Sequence, residues 1–346
     1  MTPALRLPLL LTGLLLIASS LWGDFASAAE RVKIHATTAQ QDMVRMIARH
    51  IARDAGIELI TRNVAGTPEA LLRLHETGAL QLALLQADAA PVYIGAAMRG
   101  HPDATRMIET VRTIAPLHFE EIHILVRSDS PMNHLHDLAS AHINLGPLHS
   151  GTALSIANLY RMMFGIALPD AQANFLPDDE ALVKLITEGS LDAVALVAPR
   201  PARLLANMKP EARKFVKLLR FDASHPTAAA LRTLYAPVTA FAADYPNLLE
   251  ADQAALAVRI FLGASGHGEK SDALLAGFAA AWCKHFARLK TEGPPAWSAL
   301  ELVARPELQG WANSRIAARE IAACMEGVAP LKEPCTQEDR LLGLCN

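Results

Sequence analysis

Short, almost wholly apolar blocks alternate along this chain with stretches whose apolar residues recur every three or four positions. The first kind reads as buried strands and the second as amphipathic helices. Val32–Ala36 is such a block. The polar loop 37–41 then leads into a helix with Met43, Val44, Ile47 and Ile51 facing inward, ending near Gly56. Ile57–Val64 is a second strand. Thr67 caps a helix with Pro68 in its first position, and Gly78 stops it. Leu80–Leu85 is a third strand, apolar on both faces, as expected of a parallel sheet covered by helices on either side.

The same order returns. Ile143–Leu145 is a strand, and Gly146-Pro147 breaks it. Ser150-Gly151-Thr152 opens a helix with Leu154, Ala157, Tyr160 and Phe164 on one face. Ala173–Leu176 is a strand, Asp178 caps a helix ending near Gly189, and Leu191–Val197 is a buried strand. A constant offset of 111 lays Thr67 on Asp178, Leu71 on Leu182, Gly78 on Gly189 and Leu85 on Leu196. This is an internal repeat, and it predicts two similar α/β lobes.

Ligands of open α/β sheets bind beyond the carboxyl ends of the strands, where loops run into helix starts. Those loops are 37–41 and 65–67 in lobe one and 147–152 and 177–179 in lobe two. If the lobes face each other, the four tips line one cleft. At 150–152, two hydroxyls join the unpaired N–H groups of a first helical turn, a socket suited to a small anion such as a carboxylate.

Composition narrows the setting. Leu7–Leu21 is apolar after Arg6, and Ala26-Ser27-Ala28 is a small-residue cleavage site, so residues 1–28 read as an export signal. A net charge of −3 argues against nucleic acid as a partner. The four cysteines, Cys283, Cys324, Cys335 and Cys345, all lie near the carboxyl end. In an oxidising compartment an even set implies two disulfides with three possible connectivities. Cys283–Cys324 with Cys335–Cys345 is the pairing favoured here. Residues 114–127 read as an extended segment crossing between lobes, with the return through 231–242. The Ala- and Leu-rich remainder reads as mostly helical and packed on lobe one.

Several pieces in this order, Phe119-Glu-Glu-Ile-His-Ile-Leu-Val-Arg-Ser-Asp129, Asp137-Leu138 and Gly146-Pro-Leu-His-Ser-Gly-Thr152, resemble the TAXI family of solute receptors of TRAP transporters. Gly66-Thr67, Leu85-Gln-Ala-Asp88 and Asp244-Tyr-Pro246 support the match, which runs from about residue 32 to 312. The resemblance implies an α/β, two-lobed periplasmic-binding-protein (type II-like) fold, each lobe a mainly parallel sheet flanked by helices, with extra carboxyl-terminal helices. It implies domains of 29–122 plus 232–315, and 123–231, followed by a tail of 316–346. It also implies a periplasmic receptor that hands a small anionic solute, an amino acid such as glutamate or an organic acid, to a TRAP-type permease. Contacts carried over are Thr67, Gln86, Ser150, Gly151 and Thr152, with Thr37, Thr38, Gln41, His149 and Arg200 added from the cleft loops.

The chain departs from the family at Thr37–Asp42, which lacks the usual glycines and covering aromatic, and at Ala198-Pro-Arg-Pro201, where paired glycines are usual. A more anionic ligand, or a periplasmic sensing or scaffold role without transport, is the alternative. No cofactor is implied. The histidines at 118, 123, 134, 136, 142 and 149 match no metalloprotease spacing and read as solvent-facing or hydrogen-bonded side chains. Gly263-Ala-Ser-Gly-His-Gly268 lacks nucleophile-elbow spacing and reads as glycines between helices, and nothing assigns Ser150 a base. An enzyme is not expected.

Overall fold

The computed structural model describes residues 29–327, so the expected export signal and the expected Cys335–Cys345 pair lie outside the described residues. The strands are β1 (Glu30–Ala36), β2 (Ile57–Asn63), β3 (Gln81–Gln86), β4 (Arg112–Arg127), β5 (Ile143–Asn144) and β6 (Ala173–Asn174). They continue as β7 (Ala193–Pro199), β8 (Val216–Leu218), β9 (Ala236–Ala240), β10 (Gln253–Ser265) and β11 (Ala312–Asn313). The helices are α1 (Gln41–Ile47), α2 (Thr67–Leu74), α3 (Ala89–Met98), α4 (Pro102–Glu109) and α5 (Gly151–Phe164). After them come α6 (Asp178–Val183), α7 (Arg203–Ala206), α8 (Ala228–Leu231), α9 (Glu269–Glu292) and α10 (Arg315–Met325). None of the described helices is long and apolar enough to cross a membrane.

The sheet order is β2-β1-β3-β10-β4-β7-β5-β6. Strand β1 pairs in parallel with β2 and β3, and β5 pairs in parallel with β6 and β7. Antiparallel β10 lies beside β3, and antiparallel β4 lies beside β7. The two lobes thus repeat one arrangement, as the offset of 111 predicts.

Alternation within single strands sends side chains to separate cores, because successive residues point to opposite faces. In lobe one, Leu82 and Leu84 pack with Ile34, Trp282 and Trp297, while Ala83 and Leu85 pack with Leu71, Phe261 and Trp311. In lobe two, Ile124, Ala193 and Ala195 join Leu159 and Tyr160, while Leu125 and Val194 join Leu205 and Tyr245. The carboxyl-terminal helices α9 and α10 cover lobe one, with Phe278, Trp282 and Ile321 in its core, and Cys283–Cys324 ties them together. The expected tail therefore begins as a packed helix, since Ala317, Ala318 and Ile321 are buried.

The return crossing differs from expectation. It runs through β10, a 13-residue strand in a region expected to be helical. Residues expected to return earlier, such as Tyr235, and those in the first half of β10, such as Leu256 and Val258, belong to the second lobe's core. Because β10 sits between β3 and β4, nearly every residue from Ala255 onward is buried. A strand covered on both faces has no polar alternation to betray it. Consequently 266–268 joins a strand to a helix, and Gly266 and Gly268 hold positive φ there.

Candidate functional site

The four loop tips meet. Thr37, Ala39 and Gln40 and then Ala65, Gly66 and Thr67 from lobe one, with Pro147, Ser150, Gly151 and Thr152 and then Asp178 from lobe two, surround one cavity of 270 Å³. Glu120, on the crossing strand β4, lines the same cavity, as do Gln86 and residues 196–199.

Each tip is positioned by local chemistry. Ser150 has extended backbone, and its Oγ accepts from Ala153 N at 3.0 Å, capping α5 as its sequence predicts. Thr152 Oγ1 accepts from Val197 N at 3.2 Å, fixing the helix start to strand β7. Helix α2 on the facing lobe begins at Thr67 with Gly66 as its cap, and α6 on the same lobe as α5 begins at Asp178 after Pro177, each a residue away from the expected cap. Thr67 Oγ1 accepts from Gln86 N at 2.9 Å, tying α2 to the end of β3.

The lobes touch through two glycines. A Cβ on Gly66 would stand 2.1 Å from Gly151 N, and one on Gly151 would stand 2.4 Å from Gln86 Oε1. At Gly66 the close atoms are backbone, so no larger residue fits while the lobes are in contact; at Gly151 the amide end of Gln86 would have to move. Behind them runs a buried polar chain across the interface. Gln86 Nε2 donates to Ser155 Oγ at 3.3 Å. The Tyr235 hydroxyl lies 3.0 Å from Asp88 Oδ2 and 3.1 Å from Ser155 O, and Asn158 Nδ2 donates to it at 3.1 Å. Asp88 is fully buried and its Oδ1 has no partner. Burial pushes its carboxyl up to about 6, against the opposing bonds from Ser155 and Tyr235.

Charge in the cavity has one sign. Glu120, only 6% exposed, accepts from Gln40 Nε2 at 3.0 Å. His118 Nε2 stands 3.8 Å from Glu120 Oε1, too far for a hydrogen bond, and is itself unpartnered. Asp178 is the second carboxylate, its carboxyl raised by burial and by Asp179. Among the described residues lining the cavity there is no Lys, Arg or His. Anion-binding capacity therefore comes from amides and hydroxyls, and cation-binding capacity from the carboxylates of Glu120 and Asp178. Among the described residues no hydrogen bond joins Ser150 Oγ to an imidazole; it accepts from Ala153 N.

Of the residues expected at the site, Thr37, Thr67, Gln86, Ser150, Gly151 and Thr152 line this cavity. The other four do not. Thr38 is exposed and donates to Asn63 Oδ1 at 3.1 Å. Gln41 Nε2 donates back to Thr37 O at 3.4 Å. Exposed His149, with φ of 65°, borders a separate apolar cavity of 400 Å³ between α5 and α3. Arg200 pairs with Asp244 and stacks on the Phe241 ring at 4.1 Å, so its charge is used outside the cavity. Gln40 and Asp178 line the cavity from loops expected to face it, and Glu120 lines it without having been expected there. For Glu120 the available signal was a charged pair, Glu120-Glu121, inside an apolar crossing strand.

Three solved structures are similar across most of the chain at low identity. The arginine-, lysine-, histidine-binding protein ArtJ from Geobacillus stearothermophilus is 12% identical, covering 90% of this chain and 100% of that one at a TM-score of 0.42. The periplasmic aliphatic sulphonate binding protein SsuA from Escherichia coli is 18% identical, covering 90% and 89% at 0.41. The periplasmic binding protein BugD is 12% identical, covering 86% and 95% at 0.44. Among curated proteins, none matches. A family model does match, over residues 40–266, a span holding all four cavity tips except Thr37 and Ala39. The chain therefore belongs to the NMT1-like family.

Proposed function

We propose that this protein is an exported receptor that closes its two lobes over a small solute carrying a carboxylate and a cationic group, as an amino acid does. The observation that carries the proposal is the meeting of four loop tips from two lobes around one cavity. At 270 Å³ the cavity lies just below the range of about 300–1,000 Å³ usual for ligand pockets, a size for a metabolite. The first-turn amides of α5 and the hydroxyls of Ser150 and Thr152 receive the carboxylate. Glu120 receives the cation, because a buried carboxylate with only Gln40 donating to it is stabilised by an opposite charge. The partner that reads the closed form is a membrane permease of TRAP type, as the resemblance of residues 119–129 and 146–152 implies, and the site of action is the periplasm. No turnover is assigned, since Ser150 Oγ serves as a helix cap.

A thermal-shift screen of α-amino acids, dicarboxylates and simple amines on the mature protein tests this. A matching solute at a hundred times its dissociation constant adds about 2.7 kcal/mol of stability. An amino acid should shift melting more than the dicarboxylate of equal length. Equal melting with every compound in the screen would sink the proposal.

A further inference from the structure

We infer that the second lobe carries a surface site for one divalent transition-metal ion, built by His134, His136 and Asp137 and independent of the solute cavity. An imidazole nitrogen from each histidine and a carboxylate oxygen of Asp137 all lie within 4.8 Å of one another. The rings of His134 and His136 are nearly parallel, at 8° and 5.1 Å between centroids. A third ring from a distant segment, His225, stacks on His136 at 4.0 Å and 12°. His225 is itself held by Thr227, whose Oγ1 lies 2.8 Å from its Nδ1.

The backbone holds these groups in place. Leu135 N donates to Arg220 O at 3.0 Å and Arg220 N to Asn133 O at 3.0 Å, pairing the two segments on either side of the cluster. Asp137 Oδ2 accepts from Asn133 N and His134 N at 2.8 and 2.9 Å. That leaves Oδ1, 3.8 Å from His136 Nε2, as the oxygen facing the rings. His136 is only partly exposed, with 24% of its side chain accessible.

Two imidazoles and a carboxylate are the donor set of borderline ions such as Zn²⁺, Ni²⁺ and Cu²⁺; Mg²⁺ and Ca²⁺ prefer oxygen alone. Bonds of about 2.0–2.1 Å in tetrahedral geometry bring ligand atoms to about 3.4 Å apart, a closing of up to about 1.4 Å from the 4.8 Å limit. Binding therefore requires side-chain rotation that closes this distance and tilts the parallel rings toward one ion. None of these residues lines the solute cavity.

Zinc titration of the mature protein without a histidine tag, followed by calorimetry, should give one ion per chain. The double variant His134→Ala/His136→Ala should lose at least about tenfold in affinity while melting, without metal, at the same temperature. With Cu²⁺ as the probe, the electron paramagnetic resonance spectrum should show splitting from two nitrogens. Equal zinc affinity in the double variant, no binding at about 100 μM zinc, or a copper spectrum with oxygen ligands alone would overturn the inference.

Discussion

Replacing Glu120 by glutamine keeps the shape of the cavity wall and an acceptor for Gln40 while removing the charge. Solutes bearing an ammonium group should lose about 1.5–3 kcal/mol of binding, and those without one should lose little; calorimetry on matched pairs separates the two. Thr152→Ala and Ser150→Ala should each cost about 1–3 kcal/mol in solute binding if their hydroxyls donate to the carboxylate. The serine variant also loses a helix cap, worth roughly 1 kcal/mol of stability, so chemical denaturation must accompany it. Gly66→Ala should melt like the parent yet bind solute poorly, because a methyl group there meets Gly151 N as the lobes come together. Asp88 gives a pH signature. Its carboxyl is raised from 3.8 to about 6, so the stability conferred by its protonated form is complete below pH 3.8 and lost as pH climbs through 6. Asp88→Asn should flatten that decline, by about 3 kcal/mol between pH 4 and 7, in urea unfolding measured at each pH. Residues whose role depends on local backbone, such as Ser150 as a cap, were legible in the sequence. Glu120 was not, because nothing in a linear pattern says which of two adjacent glutamates faces a cavity.

At the scale of elements, helix starts and parallel strands could be read because caps and apolar runs are local signals. Helices α2 and α6 were each misplaced by a single position at their caps. Strand β10 escaped for the opposite reason. Its alanines favour helix, and its strand form is imposed by neighbours far away in sequence, β3 on one side and β4 on the other. The tie between α9 and α10 spans 41 residues, and closing a loop of that length in the unfolded chain corresponds to about 4 kcal/mol. The paired substitution Cys283→Ser/Cys324→Ser should lower unfolding stability by about that amount, with solute affinity unchanged, since neither helix reaches the cavity. A denaturation curve and a binding isotherm on the same sample check both halves.

Across the whole molecule, the repeat places β10 beside β3 in one lobe and β4 beside β7 in the other, so the two long strands cross the waist together in opposite directions. Small-angle X-ray scattering should show the radius of gyration fall when solute is added, as expected for hinge closure. The paired crossing is irregular near its middle, with register shifts between Arg259 and Phe261 and between Leu262 and Gly263. Arg259 clasps that irregularity, donating to Leu117 O at 2.8 Å and lying 3.7 Å above the Phe119 ring. Where an antiparallel pair slips register, the strand bends and its local twist increases. On the proposed hinge closure this pinned irregularity is where the bend belongs, so Arg259→Ala should change the scattering of the unliganded protein while leaving every cavity-lining residue as it is.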